Sequence, residues 1–169
     1  IVENNPTYYN LVGRVEYENK MGMVTTDYTM IKAGSLLTAN GGYLIVQARD
    51  VLTSPEAWNG LKRVLKTREV RMENMGEQYG VLAMSSLRPQ AIPVQVKVVM
   101  IGNPYLFQLL YDEDEDFRKL FKIKADFDTE MNIDREKMTQ MAGFIATHSQ
   151  REGVRPFDRT GVARLVEYS

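Results

Sequence analysis

The stretch Gly34–Val46, with the sequence GSLLTANGGYLIV, decides which fold the chain can adopt. Its first half, Gly34–Ala39, predicts one short helix, and the Asn-Gly-Gly sequence at 40–42 brings that helix to an end. Tyr43–Val46 follows directly and is short, apolar and partly β-branched. Such a run next to glycines is typical of a buried strand. We therefore expect a helix, a tight turn and a core strand in direct succession.

The elements after this strand alternate between helix and strand. Ser54, followed by proline and glutamate, predicts a helix start, and that helix should end near Lys66. Val94–Ile101 alternates at first and then becomes wholly apolar, as a strand entering a parallel sheet does. Asn103 is placed to cap a helix that begins at Pro104. Alternation of this kind predicts an α/β fold.

The remaining segments predict a hairpin, one more strand and two helices. Residues 69–93 indicate a hairpin, with strands at 69–73 and 80–85, and Ile123–Phe127 indicates a short strand. Residues 133–151 predict a helix with one apolar face, on which His148 is expected to pack or to make a hydrogen bond. Gly153 ends that helix, and Asp158 caps a last one. The two final helices indicate a small helical part after the α/β core.

The composition excludes several classes of function. The chain has 169 residues, of which 44% are hydrophobic and 25% charged, a balance typical of globular proteins. A net charge of −1 produces no electrostatic field that would attract nucleic acid or a membrane surface. No run of apolar residues is close to the length that a membrane-spanning helix needs. The absence of cysteine and the single histidine argue against zinc sites and Ser-His-Asp triads. We expect a soluble cytoplasmic protein without a membrane or nucleic-acid partner.

Six segments in order resemble one family, among them Leu61–Lys66, which resembles the helix after the Walker B strand. Gly34–Val46 resembles the segment that enters the Walker B strand of AAA+ proteins, in Lon-related proteases of the LonB and LonC type and in enhancer-binding transcription activators. Val98–Asn103 resembles their sensor 1 strand, and residues 69–93 resemble their inserted β-hairpin. Asp116–Phe127 and Val154–Arg159 resemble Lon-related proteins in particular. On these segments the chain is identified as a member of the AAA+ modules of Lon-related proteases.

This resemblance implies a partial AAA+ domain. Residues 1–130 would form a P-loop-type parallel sheet with helices and an inserted β-hairpin, and residues 131–169 the start of an α-helical lid. The sequence contains no Gly-x-x-x-x-Gly-Lys-Ser/Thr, so the phosphate loop is expected upstream. The first residues show neither a methionine nor a signal peptide. We therefore expect a middle piece of a longer protein, with no catalytic residue and no complete active site of its own.

By the same resemblance, the positions that hold the two acidic residues of Walker B in related proteins fall on Gln47 and Ala48. The first acid holds Mg²⁺ and the second activates water, and neither glutamine nor alanine supplies that charge. Asp50, one helical turn further on, is the alternative acid. We favour a degenerate site in which residues 43–50 form only a core strand and its exit turn. ATP and Mg²⁺ are expected in the intact protein, and no cofactor or metal for this chain alone.

Two further positions follow from the resemblance. Asn103 falls at sensor 1, where an amide holds the attacking water or the γ-phosphate, and this role is compatible with capping the Pro104 helix. Arg118 falls at the arginine finger, which reaches the nucleotide of a neighbouring subunit in a ring. The alternative for Arg118 is an ion pair with the acids of Asp112–Asp116. That acidic run is interpreted as a solvated helix start rather than a cation site.

Met21, Gly22 and Met23 fall where related proteins have an axial pore loop. Methionine adapts to varied partners and glycine permits a bend, so these residues, with Tyr28 as a second candidate, are predicted to grip unfolded polypeptide. The alternative is that the methionines are buried in a hairpin.

The resemblance implies a substrate-handling and regulatory module of a Lon-like serine protease that degrades unfolded or damaged proteins. The module would pass unfolded polypeptide to a Ser-Lys protease domain of the same protein, within a homo-oligomeric ring, expected to be a hexamer. The runner-up is an active, ATP-hydrolysing unfoldase module that uses Asp50. A transcription-activator module is the third hypothesis, and the missing Gly-Ala-Phe-Thr-Gly-Ala sequence at the axial loop argues against it.

Overall fold

The computed structural model describes residues 1–20, 23–72, 89–128, 130 and 132–168. Its internal contacts divide the chain into two units, Ile1–Lys124 and Ala125–Ser169. The functional division into 1–130 and 131–169 stays a prediction.

The first unit mixes short strands with helices. Its strands are β1 (Val2–Glu3), β2 (Gly13–Val15), β3 (Glu18–Lys20), β4 (Met23–Thr25), β5 (Ile31–Ala33), β6 (Tyr43–Gln47), β7 (Glu69–Val70), β8 (Ile92–Pro93) and β9 (Lys97–Ile101). Its helices are α1 (Tyr8–Val12), α2 (Ser35–Thr38), α3 (Ala48–Thr53), α4 (Pro55–Thr67), α5 (Pro104–Glu113) and α6 (Glu115–Leu120). The second unit contains α7 (Arg135–Arg151) and α8 (Arg159–Tyr168).

Strand β6 is the centre of a parallel three-stranded sheet with the order β1-β6-β9. Leu44 and Val46 are buried, whereas Tyr43 and Gln47 at the two ends of the strand are exposed. The register pairs Gln47 with Ile101, so β6 and β9 end at the same level. The helix, turn and core strand expected at residues 34–46 are confirmed, as is the α/β fold with a parallel sheet.

Helix α4 packs against this core. It begins as predicted, because the Ser54 hydroxyl accepts a hydrogen bond from the amide of Ala57 at 3.3 Å, and it ends at Thr67. Gly60 lies under the ring of Tyr8 in α1, where an added Cβ would come within 2.9 Å of the ring carbons. The small residue at position 60 therefore allows α1 and α4 to pack closely.

The strand predicted at Val94–Ile101 is shorter than expected and begins at Lys97. The backbone amide of Val94 donates to the carbonyl oxygen of Arg68, and that of Gln95 donates to the side chain of Asn40. These bonds remove the first residues from the sheet ladder. Of the predicted hairpin, the structure shows the start of the first strand as β7, which pairs with β8 at Ile92–Pro93. The predicted second strand at 80–85 falls within residues 73–88, which lie outside the described residues.

The prediction of a strand at Ile123–Phe127 is wrong, because these residues form no regular secondary structure. The side chains of Ile123 and Phe127 are 91% and 90% exposed. A strand depends on hydrogen bonds to a neighbouring strand, and alternation in sequence does not provide that neighbour. Within the described ranges, this segment has no strand beside it.

Prepared alone, the chain is expected to self-associate through the outer edge of β9. No strand in the described part of the chain pairs with that edge, and Val99 and Ile101 are 43% and 47% exposed. An unpaired, apolar strand edge is a template for pairing with a second copy. Sedimentation velocity should show a coefficient that rises with concentration, and Val99→Lys should reduce the rise. A monomer at all concentrations would contradict this expectation.

The second unit contains the two predicted helices, and the first of them begins at Arg135, two residues later than expected. Asp134 caps α7, Gly153 adopts a φ of 65° after it, and Asp158 accepts a hydrogen bond from the amide of Gly161 at 2.7 Å at the start of α8. The ring of His148 is exposed and stacks on that of Phe144 at 5.7 Å. Among the described helices of both units, none is long and apolar enough to span a membrane.

Candidate functional site

The carboxyl ends of β6 and β9 bring three of the predicted positions together. Gln47 ends β6 with its side chain exposed, and Ala48 begins α3 with its side chain buried. A Cβ built on Gly102, the residue after β9, would lie 3.1 Å from the Cβ of Ala48. Asn103 follows immediately. The predicted Walker B and sensor 1 positions therefore share one edge of the sheet.

This edge is neutral at the positions where two acids are expected. Gln47 offers an amide, and Ala48 is a packing residue against the turn at Gly102. Asp50 is the nearest acid in sequence, and it is exposed in the first turn of α3, where the helix dipole favours a carboxylate. The two predicted Walker B positions therefore offer no carboxylate to a Mg²⁺ ion. Within the described ranges, no three acidic or histidine side chains form a metal site.

Asn103 caps α5, as its sequence predicts. Its side-chain oxygen accepts a hydrogen bond from the amide of Leu106 at 2.8 Å, and Pro104 occupies the first helical position. The side-chain oxygen is thus used in capping the helix. The side-chain nitrogen makes no hydrogen bond to any described residue, so a donor remains at the edge of the sheet for a phosphate oxygen or a water.

Arg118 lies on the exposed side of α6 and does not pair with the acidic run that precedes it. Its guanidinium carbon is 5.6 Å from the centre of the Tyr111 ring, within the range of a cation–π contact. Three acids of the run pair instead with lysines: Asp114 with Lys62 at 2.8 Å, Asp116 with Lys66 at 2.7 Å and Glu115 with Lys119 at 2.7 Å. The guanidinium therefore keeps its N–H groups accessible.

Asp114 is the most constrained member of the acidic run. One carboxylate oxygen accepts hydrogen bonds from the indole N–H of Trp58 and the ammonium of Lys62, both at 2.8 Å. The other accepts from the amides of Asp116 and Phe117 at 2.9 and 3.2 Å, which caps α6. Burial raises the pKa of Asp114, but the hydrogen bonds from Lys62 and Trp58 outweigh it and hold the pKa below its ordinary value.

The interpretation of Asp112–Asp116 as a solvated helix start is therefore partly wrong. A helix does start inside the run, at Glu115, but the side chain of Asp114 is only 17% exposed and is fully partnered. Asp112 and Glu113 belong to the end of the preceding helix. The sequence contained one signal for this arrangement, because a largely buried tryptophan such as Trp58 requires an acceptor for its N–H group.

Packed aromatic rings fix α6 to its neighbours. The Phe117 ring lies 5.1 Å from that of Phe121 and 5.7 Å from that of Phe107, and Phe121 stacks on Trp58 at 6.2 Å. Phe107 also stacks on Tyr111 at 5.9 Å. Because α6 has only six residues, this packing and the Asp114 cap determine its position rather than helix propensity.

Acid is expected to weaken the fold through Asp114. Its folded pKa lies below the ordinary 3.8, so its contribution is fully present above that value and is lost as the pH falls through the folded pKa. Urea midpoints measured from about pH 6 down to pH 2 should therefore fall less steeply for Asp114→Asn than for the unchanged chain. Equal slopes for the two proteins would contradict this expectation.

Two of the predicted pore-loop positions, Met23 and Tyr28, belong to described elements. Strands β3 and β4 pair in antiparallel register, and Met21 and Gly22, between them, lie outside the described residues, as does the side chain of Met23. Tyr28 is 78% exposed at the start of a single 3₁₀ turn, which Asp27 caps through the amide of Thr29. This exposure suits a side chain that contacts a partner.

Comparison with known proteins gives one family and one fold. The family model described as LonB-like, AAA domain matches residues 1–128. The crystal structure of NtrX from Brucella abortus is similar over 97% of this chain, with 18% identity and a TM-score of 0.56. NtrX in complex with ATP is similar over 96%, with 16% identity and a TM-score of 0.52.

The chain spans about a third of the NtrX length, 35% and 34% in the two structures. Identity this low shows a shared fold. No curated protein matches the chain.

Proposed function

Because the chain belongs to the LonB-like AAA domain family, we propose that it is the AAA+ substrate-handling module of a Lon-like serine protease in the cytoplasm. Residues 1–130 form the AAA+ core of this module and residues 131–169 the start of its helical lid. The module works in a homo-oligomeric ring, a hexamer, and passes unfolded polypeptide to a Ser-Lys protease domain of the same protein. The observation that supports this proposal most directly is the neutral sheet edge at Gln47 and Ala48.

The nucleotide proposed for this edge is ATP, bound without efficient hydrolysis. Ligands of open α/β sheets bind beyond the carboxyl ends of the strands, and the amide nitrogen of Asn103 is available there. Arg118 of a neighbouring subunit would meet the phosphates. Gln47 and Ala48 offer no base for the attacking water, so ATP stabilises the ring rather than driving a cycle. The complex of NtrX with ATP supports ATP as the ligand.

The second candidate is an active motor that uses Asp50. This carboxylate is exposed in the first turn of α3, three residues after the end of β6. If its oxygen oriented Mg²⁺ or water, the module would hydrolyse ATP and unfold its substrates.

Proteolysis by the full-length protein distinguishes these functions. The proposal predicts that an unfolded polypeptide is cleaved equally well with ATP and with a non-hydrolysable ATP analogue. Cleavage that requires ATP itself would contradict the proposal and favour the motor.

Substrate handling has its own test in the same assay. Tyr28→Ala should slow cleavage of the unfolded polypeptide and leave cleavage of a short peptide unchanged. Tyr105→Ala, which removes another exposed tyrosine far from the hairpin in sequence, is the matched control and should affect neither. Equal rates for the two variants on the polypeptide would count against the role of Tyr28.

A further inference from the structure

We propose that Tyr111 is a positioning residue that holds the guanidinium of Arg118 ready for the phosphates of an ATP bound by a neighbouring copy. This inference rests on the proposed function, in which Arg118 reaches across a subunit boundary. It adds a residue that no part of the resemblance assigns, because Tyr111 lies on α5 and precedes the acidic run.

The backbone of Arg118 is already fixed by its helix. The Asp114 carboxylate caps α6 and connects it to α4 through Trp58 and Lys62. Phe117, next to Arg118, is buried in the aromatic stack. The side chain of Arg118 still has four rotatable bonds. It loses conformational entropy when it binds an anion, unless another group already holds it in place.

The Tyr111 ring provides that order without using the groups that bind phosphate. A guanidinium over an aromatic ring uses its flat face, whereas its five N–H donors point outward in its own plane. Tyr111 is itself held by stacking on Phe107, with an angle of 24° between the rings. Tyr111 is therefore held by a neighbouring ring, and a guanidinium that contacts it through its flat face leaves its N–H donors unused.

The three acids closest to Arg118 in sequence already have lysine partners. Asp114, Glu115 and Asp116 each have a lysine partner at 2.8 Å or less, so the acids closest in sequence do not draw the guanidinium into an ion pair. An exposed arginine beside three acids would otherwise be expected to pair with one of them. The arrangement suits an anion from outside this chain, and a polyphosphate matches the fork of N–H donors.

The test is the affinity of the full-length protein for ATP with Mg²⁺, measured by calorimetry. Arg118→Ala should weaken binding about tenfold or more, the loss expected for a hydrogen bond to a charged group. Tyr111→Leu should weaken it about two- to fivefold, the size of an exposed cation–π contact. Tyr111→Phe keeps the ring and should restore the affinity. Tyr43→Leu removes an exposed tyrosine from the amino end of β6, the opposite end of the strand from the proposed ATP edge, and should have no effect.

Each result separates the two claims. If Arg118→Ala weakens binding but Tyr111→Leu does not, the positioning role of Tyr111 is wrong and the proposed function stands. If Tyr111→Phe binds as weakly as Tyr111→Leu, the ring is not the positioning group. If Arg118→Ala has no effect, or the unchanged protein binds no ATP, both the role of Arg118 and the inference fail. Unchanged circular dichroism of Tyr111→Leu shows that its effect does not come from unfolding.

Discussion

Replacing Gly34 with alanine is expected to destabilise the chain by about 3 kcal/mol or more, at the upper end of overpacking effects. An added Cβ would lie 2.5 Å from the amide nitrogen of Gly13 and closer still to the carbonyl oxygen of Leu11. Both are backbone atoms and cannot rotate away. A domain is stable by only about 5–15 kcal/mol, so the loss should be visible as a much lower urea midpoint, followed by the fluorescence of the single tryptophan, Trp58.

The matched control is Gly42→Ala in the same stretch of sequence. Its Cβ would meet only the carbonyl oxygen of Ala39, at an ordinary 3.5 Å, and its effect should stay within about 0.5 kcal/mol. If Gly34→Ala changed the midpoint no more than Gly42→Ala does, the close approach of Gly34 to the end of α1 would be wrong.

Replacing Trp58 with alanine is also expected to have a large effect and to lower the free energy of unfolding by about 3–5 kcal/mol. The ring is 7% exposed and packs against Phe117 and Phe121, and its N–H group donates to Asp114. The substitution removes packing and one hydrogen bond at the point where α4 holds α6. Urea denaturation followed by circular dichroism measures the loss.

Trp58→Phe separates the two contributions. It keeps a buried aromatic ring, of smaller size, and removes the donor to Asp114, which still accepts a hydrogen bond from Lys62. We expect a cost of about 1–3 kcal/mol. If the phenylalanine variant were as unstable as the alanine variant, the hydrogen bond rather than ring packing would be the main contribution.

Helix boundaries could be predicted from the sequence because they depend on neighbouring residues. The caps at Ser54, Asn103 and Asp158 each accept a hydrogen bond from an amide three residues further on. Each of these bonds joins residues within one helical turn. A capping side chain followed by proline or by an apolar run is therefore enough to predict where the helix begins.

Strand boundaries were less predictable because they depend on distant partners. The pattern at Ile123–Phe127 has the alternation of a strand, yet the described residues give it no neighbour. The first residues of Val94–Ile101 leave the ladder because their amides bond to Arg68 and Asn40. No local pattern reports which distant group will compete for a backbone amide.

The candidate site shows the same division. The positions Gln47, Ala48, Asn103 and Arg118 came from resemblance, and the sheet register then brings the first three to one edge. The contacts of Asp114 could not be predicted, because its partners Trp58 and Lys62 lie more than 50 residues away in sequence. The pairing of Tyr111 with Arg118 also required the geometry of two successive helices.

The central claim is that Gln47 and Ala48 leave an AAA+ module that binds ATP without turning it over. The most direct measurement is calorimetric titration of the full-length protein with ATP and Mg²⁺, combined with phosphate release, beside a Gln47→Asp variant. The account predicts that the unchanged protein binds ATP and releases no phosphate, and that Gln47→Asp alters the binding. Steady phosphate release by the unchanged protein would contradict the account, because another acid, with Asp50 the first candidate, would then complete the site.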